Sequence, residues 1–244
     1  MVSKSQIKLI TSLEQKKVRA KTGLFVVEGI KGISEVLDSK FELDSLFTTE
    51  DIFNSNKSRT SVINQAELKK ISRLKTPQTA VALFKIPEEE KLEIENLVVA
   101  LDGVRDPGNL GTIIRLCDWF GIKTLICSKD TVDCYNPKVV QATMGSITRV
   151  KIVYKDLSAV LEMQEKVPVM GAYLEGENIY TATLPEKGIL IMGNEANGIS
   201  TSVGKYVSQK INIPQYGDSN TTESLNVATA TAILLGEFKR QENY

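Results

Sequence analysis

The chain has 244 residues, with 30 Lys plus Arg against 30 Asp plus Glu and no histidine. Balanced charge gives no whole-molecule field to draw in a polyanion, so any nucleic-acid contact must come from a local basic patch. The absence of imidazole removes Ser-His-Asp and Cys-His catalysis, imidazole proton shuttles and histidine-based metal sites, and no metal is expected. Cys117, Cys127 and Cys134 form no CxxC pair and fit buried thiols in a reducing compartment. No signal-peptide core and no run of membrane-spanning length is present, so the expectation is a cytoplasmic protein.

In chain order, residues 1–86 predict a small α/β unit. Its first 21 residues hold Lys4, Lys8, Lys16, Lys17, Arg19 and Lys21 against Glu14 alone. A solvated helix face is the ordinary source of such a run, and an RNA-gripping patch is the functional one. Ile7, Ile10 and Leu13 recur at helical spacing, and Leu24–Val27 is a β-rich run. Ile30, Ile33, Val36 and Leu37 mark an amphipathic helix, and Leu43–Thr48 a further strand. Asn64 with Glu67 spells a capping box, and Thr79–Phe84 is expected to close the sheet. Pro87-Glu88-Glu89-Glu90-Lys91 opens a linker over 87–95.

From residue 96 strand and helix patterns alternate again: Leu97–Leu101, a helix from Leu110, Lys123–Cys127, a helix over Pro137–Met144, then Arg149–Tyr154 and Val167–Tyr173 with a helix between. Asp106-Pro107-Gly108-Asn109 is turn chemistry, with Asn109 placed to cap the helix. On that helix Leu110, Ile113, Ile114, Cys117 and Phe120 share a face, and Arg115 points away, within reach of Asp118 as an ion-pair partner. Gly103, Gly108 and Gly111 do not make GxGxxG, and no GxxxxGK[ST] occurs, which counts against a dehydrogenase, an ATPase or another small-molecule nucleotide enzyme.

The most informative stretch is Ile189–Phe238. Ile189–Met192 and Ile211–Ile213 read as buried parallel strands, each ending in a polar loop, and a helix begins near Leu225. Ligands of open α/β sheets collect at such strand ends. Taken singly, Glu195 reads equally well as a solvated carboxylate, and Ser224 and Asn226 as helix caps. Ordinary packing is the expectation for Trp119 and Tyr216.

Three blocks in order, NLGTIIR at Asn109–Arg115, IMGNEANGIS at Ile191–Ser200, and INIPQYG with ESLNVATATAILL at Ile211–Leu235, resemble the motifs of the SpoU/TrmH family. These are RNA ribose 2'-O-methyltransferases of the SPOUT class. KLITSLEQKKVRAKTGLFVVEG is similar to the L30e-like substrate-binding domain often fused ahead of them. The resemblance implies an L30e-like α/β domain at 1–86 and a parallel-sheet SPOUT domain at 96–244, with a deep trefoil knot over about 189–238. It implies S-adenosyl-L-methionine as cofactor, structured RNA (rRNA or tRNA) as partner, and a homodimer. By motif position it puts cofactor contacts at Met192, Gly193, Ile213 and Leu225, and the catalytic centre at Asn109, Arg115, Glu195, Ser224 and Asn226. The basic N-terminal residues Lys8, Lys16, Lys17, Arg19 and Lys21 would then hold the RNA backbone.

Chemistry agrees with that placement. Gly193 lets backbone approach a ligand, and apolar strand ends suit an adenine. Methyl transfer from a sulfonium depends on in-line positioning more than on acid–base power, so a histidine-free chain can manage it. A guanidinium does not lose its proton in proteins. Arg115 is therefore expected to bind phosphate and stabilise alkoxide charge, its fork fixed by Glu195 or Asn109. Asp218 to Glu223 makes the loop over 217–224 longer than the family pattern. The alternative this raises is an RNA-binding relative with lost or weakened catalysis, against which the intact Asn109, Arg115, Glu195 and Asn226 argue.

Overall fold

A computed structural model describes residues 1–89, 91–164, 166–217 and 224–242. The chain divides into two units, 1–89 with 133–148, and 90–132 with 149–244.

The first unit opens with two helices, α1 (Lys4–Ser12) and α2 (Lys16–Thr22). Ser3 and Gln6 form a capping box on α1, and α2 ends at Gly23 in the left-handed conformation, φ 65°. Then follow β1 (Leu24–Glu28), α3 (Ile30–Leu37), β2 (Leu43–Thr48), β3 (Thr60–Val62), α4 (Gln65–Ile71) and β4 (Ala80–Lys85). The Asn64/Glu67 capping box forms as expected, Glu67 N donating to Asn64 Oδ1 at 2.9 Å. The sheet order is β1-β4-β2-β3. The last strand does not close the sheet but fills its middle, antiparallel to both β1 and β2. Its AVALF run is buried throughout, which suits a strand covered on both faces.

Segment 133–148 follows the second unit's second strand in sequence yet groups with this first unit. There Tyr135 stacks at 4.8 Å from the Phe25 ring.

The second unit is a parallel sheet of β5 (Leu97–Leu101), β6 (Thr124–Cys127), β7 (Lys151–Tyr154), β8 (Val169–Asn178), β9 (Gly188–Met192) and β10 (Gln209–Asn212). Their order is β10-β8-β9-β5-β6-β7. The unit's helices are α5 (Pro107–Trp119), α7 (Leu157–Glu162), α8 (Thr201–Gly204) and, after the last strand, α9 (Val227–Glu242); α6 (Pro137–Thr143) belongs to the first unit. LVVAL and GILIM are buried along their whole length, as expected for central parallel strands. β10 departs from expectation: it is an edge strand with Ile211 alone fully buried.

Leaving β5 the chain passes to β6 and β7 on one side, then returns to the other side for β8 and β9. The carboxyl ends of β5 and β9 therefore flank the switch point, where α/β sheets open a crevice. No helix among the described residues is long and apolar enough to cross a membrane.

Candidate functional site

Helix α5 starts three residues earlier than the sequence suggests. Pro107 occupies its first turn, where a missing N–H costs nothing, and Asp106 is the cap, its Oδ1 accepting from Asn109 N at 2.8 Å. Asn109 is thus not the cap, and its side chain is released for other work. Its Nδ2 donates to Glu195 Oε1 at 3.0 Å, and its Oδ1 accepts from Asn226 Nδ2 at 2.9 Å. Asn226 Oδ1 in turn caps α9, accepting from Ala228 N at 2.9 Å and Thr229 N at 3.2 Å. Three residues from three separate blocks, Asn109, Glu195 and Asn226, therefore form one hydrogen-bonded chain.

Arg115 lies on the exposed side of α5. The ordinary pairing with Asp118 does not form, because Asp118 accepts from Arg149 Nε at 2.9 Å. The expected fork on Glu195 or Asn109 does not form either, since those two side chains bond to each other. Among the described residues none bonds the Arg115 guanidinium, which leaves all its donors for an anion. Ser224 is exposed two residues before Asn226 and stays outside the chain of amides among the described residues.

The loop after β9 is built tightly. Asn194 and Gly198 exchange both backbone hydrogen bonds at 2.9 Å, and Asn194 Oδ1 accepts from Ala196 N and Asn197 N. A Cβ on Gly193 would lie 2.7 Å from Gly198 O and closer still to Gly198 C and Ile199 N. Close approach of the chain to itself thus demands glycine here, in addition to any approach of a ligand.

The expected cofactor residues gather at the carboxyl end of the sheet. Met192 ends β9 and is buried, Ile213 follows β10 and is half-buried, and Leu225 is exposed before α9. β9 and β10 are separated only by β8, so their ends stand about 10 Å apart.

Between them β8 does something the sequence reading missed. Its pairing with β10 jumps from Gly171 to Glu177, so Ala172–Gly176 leave the ladder. Glycines at both ends of this excursion, Gly171 and Gly176, were the available signal. A Cβ on Gly176 would meet Lys210 O at 2.7 Å, so the chain must return against β10 backbone there. Leu174 is left exposed within the excursion. Tyr173 beside it has its phenol pKa raised by burial and then by the Asp102 charge, so it stays protonated.

The apolar strand end at Met192, the glycine that no side chain can replace and the exposed Leu225 fit an adenosyl group with an aliphatic tail. Asp218 to Glu223, the lengthened part of the loop, lie outside the described residues.

One member of the basic N-terminal set must be withdrawn. Arg19 is 2% exposed. It donates to Leu13 O at 2.7 Å and Glu14 O at 2.8 Å, and its Nε and Nη2 both reach Asp133 Oδ2. A guanidinium so occupied cannot bind phosphate. Lys8, Lys16, Lys17 and Lys21 remain on the surface. Packing also fails as an account of the two aromatics, Trp119 being 84% and Tyr216 81% exposed. No group of His, Cys, Asp and Glu among the described residues could hold a metal ion.

Comparison with known proteins gives these features a context. The SpoU rRNA Methylase family model matches residues 96–236, and the MRM3-like substrate binding domain model residues 4–82. The chain is 30% identical over 230 residues to the 23S rRNA (guanosine(2553)-2'-O)-methyltransferase RlmP of Bacillus subtilis, covering 91% of each. A structure of a TrmH-family protein from Porphyromonas gingivalis aligns at TM-score 0.91 and 38% identity over 99% of both chains. An AdoMet-bound rRNA methyltransferase from Sinorhizobium meliloti aligns at TM-score 0.87 and 32% identity, covering 98% of this chain and 97% of that one.

Fold and site together thus define an RNA-modifying methyltransferase with a substrate-binding unit ahead of a parallel-sheet unit. The chain belongs to the SpoU rRNA Methylase family. It is an enzyme that uses S-adenosylmethionine to methylate a ribose 2'-hydroxyl in RNA.

Proposed function

We propose that the RNA is 23S rRNA and that the methylated nucleotide is a guanosine. The similarity to RlmP over almost the full length of both proteins supports this, since it includes the substrate-binding unit as well as the catalytic one. Lys8, Lys16, Lys17 and Lys21 on α1 and α2 bind the RNA backbone, which makes binding steeply salt-dependent despite the neutral net charge.

In the second unit Met192, Gly193, Ile213 and Leu225 hold the cofactor, whose sulfonium supplies an electrophilic methyl group. Arg115 binds the phosphate beside the target ribose and stabilises negative charge developing on the 2'-oxygen. The hydrogen-bonded chain of Asn226, Asn109 and Glu195 fixes the two loops and the helix that surround that oxygen, and Ser224 adds a hydroxyl at the α9 end. The observation that carries this reading is that chain: it joins the beginnings of α5 and α9 to the loop after β9, all at one end of the sheet. A trefoil knot over 189–238 would hold that end closed.

The working unit is a homodimer, supported by the indole of Trp119 standing exposed on α5. Its place of action is the cytoplasm, where the buried thiols of Cys117, Cys127 and Cys134 stay reduced.

The test is transfer of tritiated methyl from S-adenosylmethionine to transcribed 23S rRNA, followed by alkaline hydrolysis. A single alkali-resistant dinucleotide with guanosine at its 5' side is expected. Label on a base, or label accepted by tRNA and refused by 23S rRNA, overturns the assignment.

A further inference from the structure

Resting on that reading, we infer that Asp102, together with Asn194, is a positioning residue of the reaction: it clamps the loop that carries Glu195 onto the end of β5. The clamp has three points. Asp102 N donates to Met192 O at 2.9 Å, where the loop begins. Asn194 Nδ2 donates to Gly103 O, at 2.6 Å, one residue into the loop. Ser200 N donates to Asp102 Oδ2 at 2.7 Å, where the loop ends and α8 starts.

Asp102 is only 9% exposed, and a carboxylate is kept in so dry a place by what it accepts. The loop between these points is already closed on itself by the Asn194–Gly198 pair. It therefore moves as one body, and its attachment to β5 decides where Glu195 stands relative to Asn109.

The two ends of the clamp act differently. The Met192 attachment uses the Asp102 backbone and survives any side-chain change, so the cofactor-binding strand end stays in place. The Ser200 attachment uses the carboxylate, and without it the closed loop is held to β5 at its near end alone. Loss of the side chain should therefore lower turnover and leave both ligand affinities nearly intact.

Asp102→Ala and Asp102→Asn are compared with the full-length wild type, using 23S rRNA transcript and S-adenosylmethionine. For Asp102→Ala kcat falls roughly 10- to 100-fold, the range expected for losing a hydrogen bond to a charged acceptor. KM for RNA and Kd for the cofactor, by calorimetry, change by less than about threefold. The Ser200 amide loses hydrogen-exchange protection in this variant. Asp102→Asn recovers most of the turnover, because its amide oxygen still accepts from Ser200 N.

Wild-type kcat in Asp102→Ala, or loss confined to cofactor affinity, overturns the inference. So does an Asp102→Asn variant as slow as the alanine one, which would point to charge instead of positioning. Should Asp102→Ala not fold, Asn194→Ala, which removes the Gly103 attachment together with the turn bonds from Ala196 N and Asn197 N, must still show the fall in kcat with KM for RNA nearly unchanged. The exchange measurement needs no substrate, so it tests the clamp even if 23S rRNA proves to be the wrong RNA.

Discussion

Replacing Gly193 by alanine adds a single methyl group and should have a large effect. The added methyl would sit 2.7 Å from Gly198 O and nearer still to Gly198 C and Ile199 N. Ordinary carbon contacts begin at about 3.5 Å, so the opposing backbone must retreat by close to an ångström. No flexible side chain can absorb this, because every atom met is main chain. The retreat breaks the paired hydrogen bonds between Asn194 and Gly198. Overpacking costs about 1–3 kcal/mol and each of the two net hydrogen bonds about 1 kcal/mol, which puts the loss at roughly 3–5 kcal/mol. Urea denaturation should show a lower midpoint with an unchanged slope, and calorimetry should show S-adenosylmethionine binding weakened or lost. A Gly193→Ala protein with wild-type midpoint and wild-type cofactor affinity would refute the close-approach argument.

Three other outcomes follow from the same kind of reasoning. Arg19→Ala leaves Asp133 and the carbonyls of Leu13 and Glu14 without their donor inside the first unit, and should cost about 3–5 kcal/mol in thermal or urea unfolding. If Arg19 were a phosphate contact instead, stability would hold and only RNA affinity would fall. The Glu237 carboxyl is held down to about 2 from an ordinary 4.5, first by its hydrogen bonds from Arg240 and then by Gln241. Its folded value is depressed, so its contribution is complete above pH 4.5 and is lost as pH falls toward 2. Melting temperature should therefore drop across that window and drop less in Glu237→Gln; equal slopes would refute the assignment. Asn226→Asp keeps the cap of α9 but cannot donate to Asn109 Oδ1, so stability should change by less than about 1 kcal/mol while kcat falls about tenfold or more. Wild-type turnover in that variant would remove the chain of amides from the mechanism.

Much of the fold was legible from residue pattern because local rules sufficed. The capping box at Asn64, the strand at Leu43–Thr48 and the apolar face of α5 depend on neighbours a few residues away, and each formed where expected. The cap of α5 was misassigned because Asp106 and Asn109 are both competent caps; Pro107, which prefers the first helical turn, was the clue that decides for Asp106. Arg19 could not be told from the lysines beside it, since its chief partner, Asp133, lies 114 positions away. Burial of β10 was overestimated for a similar reason: being an edge is a property of strand order, which short apolar runs do not encode. The excursion at Ala172–Gly176 was signalled only by two glycines, and a glycine within a strand marks a bulge, a tight bend or a close backbone approach equally well.

The direction of the hydrogen-bonded chain has a chemical consequence. The backbone amides at the start of α9 can only donate, so Asn226 must turn its oxygen toward them and its NH2 toward Asn109. Asn109 must then present its oxygen to Asn226 and its NH2 to Glu195. With every amide orientation dictated from one end, the final group has to accept, which a Glu195 side-chain oxygen does and a third amide NH2 would not. Glu195 Oε1 is thereby committed to accepting from Asn109, while among the described residues none bonds the Arg115 guanidinium on the same helix. The polarity of the α9 helix terminus is thus relayed through two asparagines and fixes the direction of every bond up to Glu195.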